Sequence, residues 1–270
     1  MSLSYSIHKC DVCAALNSKN NKPFFNKYEL ESFLHSIYYG DINTSHLPTS
    51  LYLKTAKEIE DYLMKGFGKI NSDEQSKKVS KMRRNVYYFA AAKTYTMVNE
   101  IQKVNEKLDK NYVKYQTEST DIVKKYLDDY LYTEKDHAKH VGKAGKNWSR
   151  FESSPKTLFL EYVTMKDNRV RPAHIYLDGI IRNEKDNFWN TFMPPNGWNC
   201  RCKVKSYKEG ENTNLKDFDI NEALQNVPVM FRENFGKNGV VFPHDHPYFK
   251  NADKELARKN FNLPLPYANK

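Results

Sequence analysis

The sequence predicts an α+β chain that is mainly α: a helical N-terminal half, then a small, irregular, aromatic-rich α+β module that zinc could staple. Three observations carry this. Between residues 28 and 132 apolar residues recur at intervals of three and four, and nothing alternates as a sheet strand does. After residue 157 two runs of β-favouring residues flank a stretch dense in Pro, Gly, Asn and rings. Four cysteines fall as two close pairs, Cys10 with Cys13 and Cys200 with Cys202.

The elements follow in order. Residues 1–27 make an N-terminal Cys-x-x-Cys segment that closes in the polar run Asn17 to Lys22, a loop or small knuckle. The helical domain, 28–132, opens with Leu30, Phe33, Leu34 and Ile37 on one helix face, stopped by Gly40. Thr49 and Ser50 are candidate caps for a second helix, on which Tyr52, Ala56, Ile59 and Leu63 repeat before Gly66. Asp73 to Lys110 contains no Pro or Gly and keeps one apolar stripe from Val79 to Leu108, the longest predicted helix. Ile122, Val123, Leu127, Tyr130 and Leu131 continue the pattern to Tyr132. Residues 133–157 read as a basic connector, because the texture changes after Tyr132, where His137, His140, Gly142 and Gly145 interrupt a basic stretch before Trp148. In the module at 158–211, Leu158 to Val163 and Cys202 to Tyr207 are the predicted strands. The long intervening stretch from Arg169 to Arg201 is functional or stapled. Pro228, Pro243, Pro247, Pro264 and Pro266 predict an extended C-terminal arm over 212–270.

Composition narrows the function classes. With 270 residues there is room for one large domain or two small ones. Lys and Arg exceed Asp and Glu by 43 to 33, a net charge of +10 that favours polyanionic partners. No apolar run approaches the roughly 18 residues that span a bilayer, and the first ten residues lack a leader's apolar stretch. A soluble protein made inside a cell, without a membrane partner, is expected. Walker-type loops, a dinucleotide glycine fingerprint, His-Glu-x-x-His and Gly-x-Ser-x-Gly are all missing, which excludes most nucleotide-dependent enzymes and hydrolases.

The most distinctive stretch runs Arg169-Val-Arg171-Pro-Ala-His174, Asp178-Gly179, Phe188-Trp189, then Pro194-Pro195-Asn-Gly197-Trp198-Asn-Cys200-Arg201-Cys202. It resembles the central motif of the phage Mu F-like minor head proteins, also known as phage head morphogenesis proteins. Asn85 to Phe89 with Lys93-Thr94-Tyr95, and the tail Phe242-Pro-x-x-His246-Pro-Tyr248, are similar to the branch of that family in phages of Bacteroides-like hosts. The resemblance covers roughly residues 83–249, and the basic stretch His137 to Trp148 is the part that departs from it. It implies a minor capsid protein of a tailed phage or prophage, inside the virion head and in the host cytoplasm during assembly. It further implies association with the portal protein and other head proteins, affecting assembly or DNA delivery. Motifs of this kind also occur joined to toxin enzymes, so a particle-delivered effector is one alternative. A zinc-stabilised DNA-binding protein acting outside virions is another.

Cys10, Cys13, Cys200 and Cys202 together offer the four thiolates of a structural zinc site. His174 and His246 with Cys200 and Cys202 offer a second ligand set, and buried thiols beside Trp198 a third reading. His174 and Asp178, four residues apart, have the form of an acid–base pair, yet no nucleophile or oxyanion loop accompanies them, so no catalytic activity is expected. Instead Arg169 and His174 should satisfy buried carbonyls, with Trp189 and Trp198 supplying ring area to a small core. For non-sequence-specific contact with packaged double-stranded DNA the candidates are Lys77, Lys78, Lys81, Arg83, Arg84, Lys139, Lys143 and Lys146.

Overall fold

The computed structural model describes residues 23–108 and 111–266, which are mainly helical with one small sheet. Contacts divide the chain into two compact units, the first containing the residues up to His46 with Met97–Tyr132, the second Leu47–Thr96 with everything from Thr133 on.

In the first unit, helix α1 (Lys27–Tyr38) starts under a reciprocal cap. Asn26 Oδ1 accepts from the Glu29 N–H at 3.0 Å, and the Glu29 carboxylate accepts from the Asn26 N–H at 2.8 Å. Its buried Phe33, Leu34 and Ile37 belong to the same core as Met97, Val98 and Ile101 near the end of α3 (Asp73–Lys107). Tyr115 on α4 (Tyr112–Lys124) is fully buried because its hydroxyl has a partner there, the Leu34 carbonyl at 2.8 Å. A π-helical turn, Lys125–Tyr130, then carries the chain without interruption into α5 (Leu131–Glu152).

That continuity corrects the sequence reading of 133–157 as a connector, since most of it is α5, in the core of the second unit. The reason lies in its glycines. A methyl group at Gly142 would sit 2.2 Å from the Leu63 carbonyl oxygen, and one at Gly66 only 1.9 Å from the Lys139 carbonyl oxygen. Helix α2 (Thr49–Phe67) and α5 therefore meet backbone to backbone, an approach only glycine permits. Gly66 likewise lies inside α2 rather than ending it. The terminator is Gly68, whose φ of 73° suits a residue without a side chain. Inward-facing Ile59, Leu63 and Phe67 of α2, Met82, Val86 and Phe89 of α3, and Val141, Trp148 and Phe151 of α5 build the core of the second unit.

The sheet is antiparallel, in the order β2-β1-β3. Strands β1 (Phe159–Val163) and β3 (Lys203–Tyr207) fall on the two predicted runs, with Tyr162 opposite Val204 and Val163 opposite Lys203. Strand β2 (Ile181–Asn183) lies inside the predicted loop and is too short to show a period of two. Two helical turns, α6 (Pro172–Ile175) and α7 (Phe188–Phe192), fill the rest of that stretch.

Residues 212–266 are not an extended arm. They fold into short helices α8 (Ile220–Asn226), α9 (Phe235–Asn238), α10 (Pro247–Lys250) and α11 (Lys254–Arg258). Phe231, Phe235, Val241, Phe242 and Phe261 are each at most 2% exposed. The prolines interrupt regular structure as expected, and Pro247 opens α10. Burial of the rings between them makes the tail part of the core.

Candidate metal centre

The register of β3 on β1 fixes where the two module cysteines lie. Cys202 immediately precedes β3, beside the buried Tyr162 of β1, and the turn before it is closed by the Cys200 N–H donating to the Gly197 carbonyl at 3.2 Å. The Pro194–Pro195 peptide is cis, and both prolines are buried. From the other side α6 presents His174. Its Nδ1 lies 3.7 Å from Cys200 Sγ and 3.4 Å from Cys202 Sγ. The three donor atoms are within 4.8 Å of one another, with His174 and Cys200 buried and Cys202 half-buried.

The surrounding groups are tightly bonded. His174 Nε2 faces the Asn196 carbonyl oxygen at 3.3 Å. The Asn196 side chain, fully buried, donates to the Thr191 and Phe231 carbonyls at 3.2 Å and accepts from the Tyr162 hydroxyl at 3.2 Å. The Arg171 guanidinium donates to the Trp198 carbonyl and closes over Gly197, where a methyl group would lie 3.3 Å from it. A hydrogen bond from Cys202 holds the Cys200 sulfur towards thiolate despite burial, with His174 adding to the effect; Cys202 is correspondingly pushed up. Burial, then the charge of the neighbouring sulfurs, raises the Tyr162 phenol well above its usual range.

Other motif residues take separate posts. Arg171 holds the half-buried Trp198 carbonyl, and Arg169 is exposed. The Asp178 carboxylate accepts from the Thr164 N–H at 2.7 Å and hydroxyl at 2.9 Å, beside Gly179 at φ 81°. Arg201 forms a two-pronged pair with Asp167 at 2.7 and 2.8 Å near the surface. Trp189 is fully buried, with its indole N–H directed at the Arg182 carbonyl, and Trp198 packs edge-on to Phe231 and His137. His246 is not among the three clustered donors. It caps α10 by accepting from the Tyr248 N–H at 3.2 Å, and burial lowers its imidazole to about 3. Cys10 and Cys13 lie outside the described residues.

A second constellation joins two segments that the sequence offered only as separate resemblances. Asn85, Phe89 and Lys93 recur every four residues on α3, and all three engage buried partners. Asn85 Oδ1 accepts from the Val241 and Phe242 N–H groups at 2.8 and 2.7 Å. Phe89 stacks on Phe242 with centroids 3.6 Å apart. Lys93 pairs with Glu134 at 2.6 Å, both almost wholly buried, and Tyr248 donates to the other Glu134 oxygen at 3.2 Å. The two separate segments that carried the resemblance are thus one packed assembly. Its signal was the interval of four, obscured because two of the three residues are polar.

The proposed phosphate-binding residues divide. Lys78 pairs with Glu152, Arg83 with Glu60, and Lys146 bonds to the Lys69 carbonyl and the Gln75 side chain. Arg84 lies over the Tyr88 ring. Lys77, Lys81, Lys139 and Lys143 are exposed, and Lys139 and Lys143 line a groove with Lys65, His140, Arg201 and Lys203.

The model of the family described as "Phage Mu protein F like protein" matches residues 52–205, more than half of the chain. The chain belongs to that family. It is 46% identical over 48 residues to the "Putative capsid assembly protein F" of Escherichia phage Mu, a stretch that is 18% of this chain and 11% of that protein. It is 34% identical over 79 residues to the "Mu-like prophage FluMu F protein" of Haemophilus influenzae, 29% of this chain and 18% of the relative. No solved structure matches it. The family match runs from α2 through β3 and so contains His174, Cys200, Cys202 and the α3 ladder, while the tail that packs on that ladder lies beyond it. Among the described residues of this Mu F-like protein, no helix is long and apolar enough to cross a membrane.

Proposed function

We propose that this chain is a minor head protein of a tailed phage or prophage, associating with the portal and other head proteins inside the capsid and serving assembly or DNA delivery. The observation that carries this reading is the family match over residues 52–205, together with a phage relative named for capsid assembly. The character of the motif supports it. Arg171, His174, Asp178, Asn196 and Trp189 hold buried carbonyls, N–H groups and rings of the chain itself, as in a scaffold built to keep its shape. Packaged DNA, met through its phosphates, is the partner proposed for exposed Lys77, Lys81, Lys139 and Lys143.

The test is quantitative mass spectrometry of purified particles, comparing DNA-filled heads, empty heads and free lysate. A few copies per portal in both kinds of head are expected. Abundance in lysate with absence from particles would overturn the reading in favour of a DNA-binding protein acting outside the virion.

A further inference from the structure

The strongest unassigned feature is the convergence of three metal-ligating atoms on one point. Zinc binds sulfur at about 2.3 Å and imidazole nitrogen at about 2.0–2.1 Å, so in a tetrahedral site the two donors stand about 3.6 Å apart. His174 Nδ1 stands 3.4 and 3.7 Å from the two sulfurs. The ring is also oriented as a ligand. With Nε2 directed at the Asn196 carbonyl, that nitrogen carries the proton and Nδ1 presents its lone pair. Metal-binding histidines almost always hold their second N–H in this way. A cation between His174 Nδ1 and the two sulfurs would satisfy all three groups, which lie within 4.8 Å of one another. The Asn196 side chain is itself held by three hydrogen bonds, which makes the orientation rigid.

We propose that His174 Nδ1, Cys200 Sγ and Cys202 Sγ bind one zinc ion, its fourth position taken by a water in the small adjoining cavity. That cavity, lined beside the three donors by Met165, Arg169, Arg171, Asn199 and Arg201, has a volume of about 10 Å³, the size of a single water. Two sulfurs and an imidazole suit zinc by softness and geometry. The ion ties α6 to the entry of β3, closing the irregular segment between them where regular hydrogen bonding is sparse. The site stands or falls independently of the proposed role in the phage head.

The experiment uses the full chain purified without added metal. Elemental analysis should find about one zinc per chain, and a variant with Cys10→Ser and Cys13→Ser should keep it. Within that variant Cys200 and Cys202 should resist a thiol reagent until a chelator is added, the two thiols then appearing together with the released zinc. Replacement of zinc by cobalt should give the intense visible bands of tetrahedral coordination and the near-ultraviolet band of thiolate ligation. His174→Ala should abolish stoichiometric metal, whereas His246→Gln should retain it. Cys200 and Cys202 that react equally with and without chelator, in a chain isolated free of zinc, would overturn the proposal. Loss of zinc in the Cys10→Ser, Cys13→Ser variant would overturn it as well, transferring the ion to the four-cysteine set.

Discussion

His137 shows how a residue's role depends on the face it occupies. It sits on α5 among lysines, yet its ring is buried between Trp198, Phe231, Phe235 and Phe242, with Nε2 2.9 Å from the Val241 carbonyl oxygen. Burial lowers its imidazole to about 4, and that of His246 to about 3. Both histidines fold as neutral rings. Because the folded values lie below the ordinary 6.5, the unfolded chain binds more protons between those limits. Stability is therefore complete above about pH 6.5 and falls on acidification towards pH 4 and then 3, by on the order of 3 kcal/mol for His137. Denaturant titrations at pH 7 and pH 5 should show this loss, and His137→Gln should shrink the difference between them. A pH dependence unchanged in His137→Gln would show that its ring is not the group being protonated. Lys93 and Glu134 are opposite charges with the same dependence on burial, which disfavours both charged forms, while their 2.6 Å contact favours them.

At the scale of elements, α5 explains both what the sequence disclosed and what it hid. Glu134, His137, Val141, Ala144 and Trp148 follow the three-four interval of an inward helix face, but a carboxylate and an imidazole occupy its first two places. A hydrophobic pattern cannot register a stripe whose polar members bond to groups distant in sequence, Glu134 to Lys93 and His137 Nε2 to the Val241 carbonyl. The glycines compounded the difficulty, since Gly142 and Gly145 read locally as breakers and globally serve close packing. Gly142→Ala should cost at least about 2 kcal/mol, because the intruding methyl meets backbone that cannot rotate away. Lys143→Ala, exposed on the same helix, should change stability by less than about 0.5 kcal/mol. Comparable melting temperatures for the two variants would contradict the backbone contact between α2 and α5. The strand at β1 was readable because Leu158 to Val163 is rich in β-favouring residues, and in the fold Leu160 and Tyr162 are buried on either side of half-buried Glu161. β2 offered three half-buried residues and no alternation.

Across the whole molecule, the helical content and the family were legible in the sequence because both rest on local patterns: an apolar stripe along α3, and a dense run of Pro, Gly, Trp and Cys. The candidate metal centre was half legible. Cys200 and Cys202 announced themselves by spacing, but only the fold selects His174 over His246, through a helical turn 26 residues before Cys200. The basic charge also acts at this scale. Changing Lys77, Lys81, Lys139 and Lys143 to Gln together should lower the slope of log affinity for DNA against log salt by up to about 3–4, as each phosphate contact contributes about 0.9. An unaltered slope would remove DNA as the partner of these residues. The meeting of α3 with the tail has a consequence in time. Asn85 waits for residues 156 and 157 positions further on, and Tyr52 for the Pro264 carbonyl 212 positions away. At about 5–20 residues per second, a ribosome takes on the order of ten seconds or more to deliver those partners. Throughout that interval Phe89, Lys93 and Glu134 have no native tail to cover them, so this part of the core closes only after Val241, Phe242 and Tyr248 have been synthesised.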